Sequence, residues 1–191
     1  MLVFPEMVEV SYANIAISGD IGTGKSTLVS GLVKELGWSY FSTGEYFRKW
    51  HEENNIPLEK TGDVPPKVDR AIDMDVQKKM RELDHMIFES RLAVWLAKDL
   101  PKVFKILIMA DFEVAMERVS IRDKVSILEA SDKSKERAKA LEKKFSLLYG
   151  VSDFLDPKYA NLVVDTTKKS AEETLAFVLD NLRVKFQVKI S

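Results

Sequence analysis

The segment Gly19–Ser26 has the residue types and spacing of a phosphate-binding loop. It runs Gly-Asp-Ile-Gly-Thr-Gly-Lys-Ser and matches the pattern G-x-x-x-x-G-K-S/T at every fixed position. Glycines let several backbone N–H groups converge on phosphate oxygens, and the following helix points its positive end at the same place. Lys25 would reach the β- and γ-phosphates, and the Ser26 hydroxyl would complete the coordination of Mg²⁺. The residues expected to bind ATP are Gly19, Asp20, Gly22, Thr23, Gly24, Lys25, Ser26 and Thr27, with Ser26 also the metal ligand.

Alternative roles for this loop fit the chain less well. A glycine-rich turn needs no ligand, but a Lys-Ser pair directly after the last glycine is unusual in such a turn. A GTPase needs a downstream N-K-x-D, and no asparagine of the chain begins one. Motor and AAA-type ATPases need a strand that ends in Asp-Glu, which none of the predicted strands does. A small phosphotransferase fits better, with mobile lids that keep water from the γ-phosphate.

Several arginines have positions suited to a second, phosphorylated substrate. Arg48 and Arg91 follow predicted strands closely, and Arg118 and Arg122 are four residues apart on one helix face. Arg137 lies further along, in a locally basic stretch of a neutral chain. Such cations would hold the substrate and offset the repulsion between two polyanions. The alternative for each is a solvated or ion-paired surface arginine.

The elements around these residues must bring them together. Short apolar runs alternate with amphipathic segments, which predicts an α/β fold with a parallel sheet covered by helices on both sides. The predicted strands are 14–18, 38–41, 84–89, 105–110 and 161–164, and the predicted helices are 26–36, 43–53, 111–124 and 171–182. Ligands of such a sheet bind at the carboxyl ends of the strands, where Arg48 and Arg91 fall.

Two charged stretches interrupt the alternation, at about 54–82 and about 123–148. The first contains Pro57, Pro65 and Pro66 and therefore cannot be one long helix. The second has few apolar residues and is expected to form solvated helices. The chain ends, residues 1–12 and 184–190, are each expected to add an edge strand or remain a tail.

The amino-acid composition excludes several kinds of functional site. The chain has 191 residues, 29 Lys+Arg against 30 Asp+Glu, no cysteine and two histidines. Zero cysteine excludes disulfides, thiolate metal sites and a cysteine nucleophile. His51 is expected to be solvated and His85 structural. The neutral charge argues against a nucleic-acid partner, and the absence of a long apolar run argues against a membrane span or leader, so a cytoplasmic location is expected.

Further motifs resemble those of cytidylate kinases, particularly the compact archaeal type and its bacterial relatives. The likeness extends from about Asn14 to Leu182 in one order. The motifs that carry it are Phe41-Ser-Thr-Gly-Glu-Tyr-Phe-Arg48, Val68-Asp-Arg-Ala-Ile-Asp73, Glu89-Ser-Arg-Leu-Ala-Val-Trp95, Glu117-Arg-Val-Ser-Ile-Arg122, Lys144-Phe-Ser-Leu-Leu-Tyr-Gly-Val151 and Asn161-Leu-Val-Val-Asp-Thr166. The resemblance implies a single P-loop kinase domain with the strand order 2-3-1-4-5. It also implies a core of about 13–53, 83–122 and 149–183, an NMP-binding insertion at about 54–82 and a lid at about 123–148.

The resemblance also implies roles for individual residues. The acceptor nucleotide would be bound by Thr43, Gly44, Arg48, Asp69, Asp73 and Arg91, and the catalytic residues would be Lys25, Arg118, Arg122 and Arg137. Either aspartate could accept a hydrogen bond from the cytosine amino group. The chain departs from the family pattern at Glu45, Ser90 and Lys144, where Asp, Gly and Arg are usual.

We therefore predict an enzyme that transfers the γ-phosphoryl group of ATP to CMP or dCMP, with Mg²⁺ as cofactor. ATP and a nucleoside monophosphate would be its partners, and the protein is expected to act as a monomer. Two alternatives stay open. One is a kinase of another small acceptor, such as AMP, shikimate or a sugar, and the other is a non-catalytic ATP-binding module.

Overall fold

A five-stranded parallel sheet forms the centre of the protein. The computed structural model describes residues 12–57, 60 and 64–186. The strands are β1 (Asn14–Gly19), β2 (Ser39–Ser42), β3 (Met86–Glu89), β4 (Val103–Met109) and β5 (Leu162–Asp165). Their order in the sheet is β2-β3-β1-β4-β5, and all neighbouring strands run in the same direction. The predicted P-loop fold and strand order are therefore confirmed.

Helices connect the strands, as the alternating sequence pattern predicts. They are α1 (Lys25–Leu36), α2 (Thr43–Glu53), α3 (Pro66–Glu82), α4 (Ala93–Leu96), α5 (Phe112–Asp123), α6 (Ile127–Tyr149) and α7 (Ala171–Phe186), with a 3₁₀ helix at Pro157–Tyr159. Because α7 continues to Phe186, residues 184–186 form neither an edge strand nor a tail. The remainder of the predicted C-terminal strand, and the N-terminal segment up to residue 11, lie outside the described residues.

The core lies on both faces of the sheet, because β1 is its central strand and is buried throughout. On one face, Ala16 and Phe88 pack with side chains of α3, α4 and α6. On the other face, Ile15 and Ile17 pack with side chains of α1 and α7. Alternate residues of one strand thus enter opposite layers, and the loops at the strand ends remain at the rim.

The two charged stretches each contain a helix. In the first, α3 starts at Pro66, where the fixed φ of proline suits the first turn of a helix. In the second, α6 is one helix with a buried face that includes Leu141, Lys144 and Phe145. The prediction of solvated helices is therefore wrong for this face of α6, where Lys144 is buried and ion-paired. In the described part of the chain, no helix has the length and apolar character of a membrane span.

Candidate active site

The phosphate-binding loop joins the end of β1 to the start of α1. Gly22 has a φ of +79°, and a Cβ built there would lie 2.4 Å from the backbone oxygen of Ala115 in α5. Only glycine meets both conditions, because a side chain is strained at this φ and collides with the neighbouring helix. The Thr23 hydroxyl donates to the carbonyl oxygen of Asp20 at 2.8 Å and closes the loop on itself. A hydrogen bond within the loop and close packing against α5 thus both constrain its shape.

Lys25 is half-buried at the first turn of α1, and its Nζ donates to the carbonyl oxygen of Asp20 at 2.7 Å. Burial lowers the pKa of Lys25 to about 8, the nearby Glu89 carboxylate opposes that change, and the Arg91 guanidinium adds to it. An ammonium removed from water and placed beside a second cation is a strong attractor for an anion. This arrangement suits the phosphates of a nucleoside triphosphate.

Glu89 ends β3 next to the loop and was not predicted as a site residue. It is 7% exposed, and its Oε2 accepts from the Ser42 hydroxyl at 2.5 Å. An acidic residue at the carboxyl end of the strand beside β1 was the signal available in the sequence. The Ser26 hydroxyl and the Glu89 carboxylate both line the same cavity and are oxygen donors of the kind that Mg²⁺ prefers. No cluster of three or more metal-binding His, Asp or Glu side chains occurs among residues 12–57, 60 and 64–186.

A cavity of about 900 Å³ brings together most of the predicted site. The predicted residues that line it are Gly22, Gly24, Lys25, Ser26, Thr27, Thr43, Gly44, Arg48, Asp69, Asp73, Arg91, Arg118, Arg122 and Arg137. Gly19, Asp20 and Thr23 are not among its lining residues. Residues of the loop, α2, α3, α5 and α6 thus face one space, although they are widely separated in the sequence.

Arg91 lies directly after β3 and is tied to the loop. Its Nη2 donates to Oδ1 of Asp20, and its side chain is only 12% exposed. The Nε and Nη1 atoms are buried and have no hydrogen-bond partner among the described residues. Burial lowers the pKa of Arg91, and the Asp20 carboxylate opposes this. The guanidinium therefore has unused donors, as a phosphate-binding arginine requires.

The three predicted lid arginines differ in how they are held. Arg118 donates from Nη1 to the Thr166 hydroxyl at 3.0 Å and from Nη2 to the Thr166 carbonyl at 2.7 Å. Arg122 forms two hydrogen bonds with Asp123, at 2.7 and 2.8 Å. Arg137 lies on α6 and faces the cavity. Arg118 of α5 is therefore tied to Thr166 just after β5, whereas Arg122, on the same helix, pairs with its neighbour Asp123.

A second cavity, of about 320 Å³, also has Arg118 in its lining. It is lined by Thr23, Gly24, Thr27, Leu28, Arg118, Thr166, Lys169, Ser170, Ala171 and Thr174. Thr23 and Gly24 of the phosphate-binding loop thus border this cavity, and the Thr166 hydroxyl donates to the Thr23 carbonyl at 3.0 Å. Thr166 and Lys169 were not predicted as site residues. The only sequence signal was the family-like motif that ends at Thr166.

Two buried contacts join α3 to α6. Lys144 Nζ lies 2.7 Å from Oδ2 of Asp69, and the Tyr149 hydroxyl donates to Oδ2 of Asp73 at 2.5 Å. Burial raises the pKa of Asp69 despite the neighbouring Lys144 ammonium. Burial also raises the pKa of Asp73, to about 6, and the Tyr149 hydrogen bond opposes this. Both carboxylates thus have partners on α6.

The departures from the family pattern have different surroundings. Ser90 is buried and lines the cavity, and its Oγ accepts from the Leu92 N–H at 3.1 Å. The Glu45 carboxylate is absent from the cavity lining and accepts from the Tyr40 hydroxyl at 3.2 Å. Lys144 pairs with Asp69. Of the three positions, Ser90 is the one that faces the cavity.

His51 corrects a sequence prediction, because it is buried rather than solvated, with 3% of its surface exposed. After α2 the chain reverses at Asn55, which has a φ of 54°, and this reversal returns Ile56 to His51. Asparagine tolerates this left-handed conformation better than most residues. His51 is also a lining residue of the larger cavity, which its position at the end of a polar helix did not indicate.

The fold and this cavity define a P-loop kinase. A family model described as an AAA domain matches residues 15–141. In fold, the chain is similar to a shikimate kinase of Acinetobacter baumannii solved in complex with shikimate. The two have a TM-score of 0.55 and 13% identity, over 95% of this chain and 97% of that one. At this identity the likeness shows the fold alone.

Relatives with higher sequence identity are cytidylate kinases. The enzyme of Aeropyrum pernix is 31% identical over 170 residues, which cover 87% of this chain and 97% of that protein. The enzyme of Pyrococcus abyssi is 34% identical over 167 residues, which cover 86% of this chain and 90% of that protein. The chain belongs to the cytidylate kinase family of P-loop nucleoside monophosphate kinases.

Proposed function

We propose that this protein transfers the γ-phosphoryl group of Mg–ATP to CMP or dCMP, giving ADP and CDP or dCDP. Family membership supports the general reaction, ATP-dependent phosphorylation of a nucleoside monophosphate. The observation that carries the proposal is the shared cavity, lined by Lys25 of the loop, Arg48 and Arg91 after β2 and β3, and the arginines of α5 and α6. A site that binds two phosphorylated molecules needs cations near the phosphates of each, because the two molecules are both negatively charged.

In the proposed mechanism the loop holds the triphosphate, and Arg48 and Arg91 hold the phosphate of the acceptor. An oxygen of that phosphate attacks the γ-phosphorus, and the bond from the γ-phosphorus to the bridging oxygen of ADP breaks. The protein needs no general base, because the attacking phosphate is already anionic. Lys25 and the arginines at 118, 122 and 137 position the groups and offset the charge that spreads over the transferring phosphoryl group.

Mg²⁺ is the cofactor that this chemistry calls for. Bound with ATP, it would neutralise charge on the β- and γ-phosphates. The Ser26 hydroxyl would be its direct protein ligand, and the Glu89 carboxylate would hold water molecules of its coordination shell. Both residues line the cavity, and Glu89 is kept in orientation by Ser42. The donor set fits Mg²⁺, because hard oxygen ligands and retained waters are typical of its sites.

We also propose a function for each segment of the chain. Residues 54–82, with α3, would form the insertion that binds the acceptor, and residues 123–148, with most of α6, would form the lid. The remaining segments form the core with the loop. The smaller cavity beside Arg118 would take the nucleoside part of ATP. Action as a monomer in the cytoplasm remains a prediction.

A coupled assay of ADP release tests the acceptor. Purified protein is given Mg–ATP with CMP, dCMP, UMP, AMP, GMP or shikimate, each in turn. We expect kcat/KM to be highest for CMP or dCMP. Highest turnover on AMP or shikimate would replace the proposed acceptor and keep the kinase. Binding of ATP without turnover on any acceptor would favour a non-catalytic module and overturn the proposal.

A further inference from the structure

His51, near the end of α2, is joined to Ile56 by one hydrogen bond of its ring and one of its backbone. Its Nδ1 lies 3.2 Å from the Ile56 carbonyl oxygen, and the Ile56 N–H donates to the His51 carbonyl at 3.0 Å. Because a carbonyl oxygen can only accept, Nδ1 carries the proton. In the neutral ring Nε2 therefore holds a lone pair and acts as an acceptor.

This acceptor atom is unused. Nε2 is buried and has no hydrogen-bond partner among the described residues. A buried polar group without a partner is costly in free energy, so a ligand that donates to Nε2 removes that cost when it binds. His51 lines the 900 Å³ cavity, so a donor can come from a ligand held there.

The surroundings indicate which part of a ligand lies at His51. Phe47, Leu141 and Phe145 line the same cavity and provide apolar and aromatic walls suited to a flat base. Arg48 lies three residues before His51 on α2 and therefore on the same helix face. A nucleotide whose phosphate meets Arg48 has its nucleoside part within reach of His51.

Each carboxylate of this region has one oxygen in contact with a side chain of α6. Asp69 takes the ammonium of Lys144, and Asp73 takes the hydroxyl of Tyr149. The family resemblance implied that one of these carboxylates recognises the cytosine amino group. In the described part of the chain, two buried acceptor atoms lack a hydrogen-bond partner, Nε2 of His51 and Oδ2 of Asp69, and of these Asp69 is ion-paired with Lys144.

We infer that Nε2 of His51 accepts a hydrogen bond from the exocyclic amino group of the acceptor's base and so selects cytosine over uracil. The inference rests on the proposed function. Uracil carries a carbonyl oxygen where cytosine carries the amino group, so two acceptors would face each other and both would lack a proton. Phe47, half-buried and one turn before His51, lines the same cavity.

Three substitutions test the inference through KM and kcat for CMP and UMP. In His51→Asn the amide nitrogen keeps the donation to Ile56 while the acceptor at the Nε2 position is lost. In His51→Gln the amide oxygen can take the place of Nε2. His85→Asn is the matched control, because His85 is exposed and its φ of 60° suits asparagine.

We expect His51→Asn to raise KM for CMP at least about tenfold and to change KM for UMP less than about twofold, with kcat nearly constant. His51→Gln should recover most of the loss, and His85→Asn should behave as the wild type. An equal rise in KM for both nucleotides assigns His51 a purely structural role and overturns the inference, as does an unchanged KM for CMP.

A second measurement uses the wild-type protein alone, so it does not require any variant to fold. The ¹⁵N chemical shift of His51 Nε2 in the wild-type protein should move on saturation with CMP and stay in place with UMP, while the His85 signals serve as an internal reference. A His51 signal that CMP does not move overturns the inference. If the wild type phosphorylates no nucleoside monophosphate, the proposed function fails, and this experiment still reports on binding at His51.

Discussion

Asp73 should make the protein less stable as pH rises from about 4 to about 6. The residue is 8% exposed, and burial of its carboxyl group, with the nearby Asp69 carboxylate, raises its pKa from 3.8 to about 6. Below pH 3.8 Asp73 is protonated in both the folded and the unfolded chain. Above that pH the unfolded chain loses the proton first, so the free energy of unfolding falls until the folded protein also ionises near pH 6.

The size of the effect follows from the two pKa values. The difference between 3.8 and about 6 corresponds to about 3 kcal/mol at 1.36 kcal/mol per pH unit. Asp73→Asn replaces the titrating group by a neutral amide whose oxygen can still accept from the Tyr149 hydroxyl. We therefore expect the variant to equal the wild type at pH 4 and to exceed it by about 3 kcal/mol at pH 7.

Urea unfolding at pH 4, 5, 6 and 7 measures this difference directly. Asp132→Asn, which makes the same change on the exposed side of α6, is the control and should follow the wild type at every pH. A constant difference between Asp73→Asn and the wild type over this range would refute the reasoning, because it would mean that Asp73 titrates at the same pH in the folded and unfolded chain.

Three further changes test the loop and the α3–α6 contacts. Lys25→Ala should remove phosphoryl transfer in the ADP-release assay and leave the circular dichroism spectrum unchanged. Near-normal turnover would contradict the assignment of the loop. Gly22→Ala should lower the free energy of unfolding by about 3 kcal/mol, because it combines a strained φ with a backbone collision. Gly37→Ala is the control, because Gly37 has a φ of +67° but a Cβ built there would meet no atom within 4 Å. We expect it to lower the free energy of unfolding by about 1 kcal/mol. Equal losses of stability in Gly22→Ala and Gly37→Ala would contradict a role for the collision with Ala115. Lys144→Met should cost about 3–5 kcal/mol at pH 7, since it leaves the Asp69 carboxylate buried and unpaired. Adding Asp69→Asn should restore most of that stability in urea unfolding, and no recovery would show that the ion pair is not the cause.

The sequence predicts the loop and the sheet well because both depend on local patterns. Gly19–Ser26 is a contiguous motif, and buried parallel strands such as β4 appear as nearly continuous apolar runs. Family-like motifs supplied the strand order, which no local pattern determines. The predicted site residues that face the cavity were found mostly through the same motifs, and their roles remain predictions.

The interactions that the sequence did not predict join distant residues or depend on a local reversal. Lys144 belongs to a helix that looks solvated, and only its pairing with Asp69 of α3 explains its burial. Arg91 and the loop residue Asp20 meet across 71 positions. His51 is buried because the chain turns back after α2. Charged and polar patterns identify such residues as surface residues unless their partners are known.

The two contacts between α3 and α6 also have a thermodynamic consequence. Through Lys144–Asp69 and Tyr149–Asp73, a ligand that shifts α3 changes the free energy of placing α6, and the reverse holds. If these helices carry the acceptor and the lid, ATP and the acceptor must alter one another's affinity by the same factor, whichever binds first. The mutual effect of the two substrates on each other's affinity would then arise from these two side-chain contacts, with no need for either substrate to touch them.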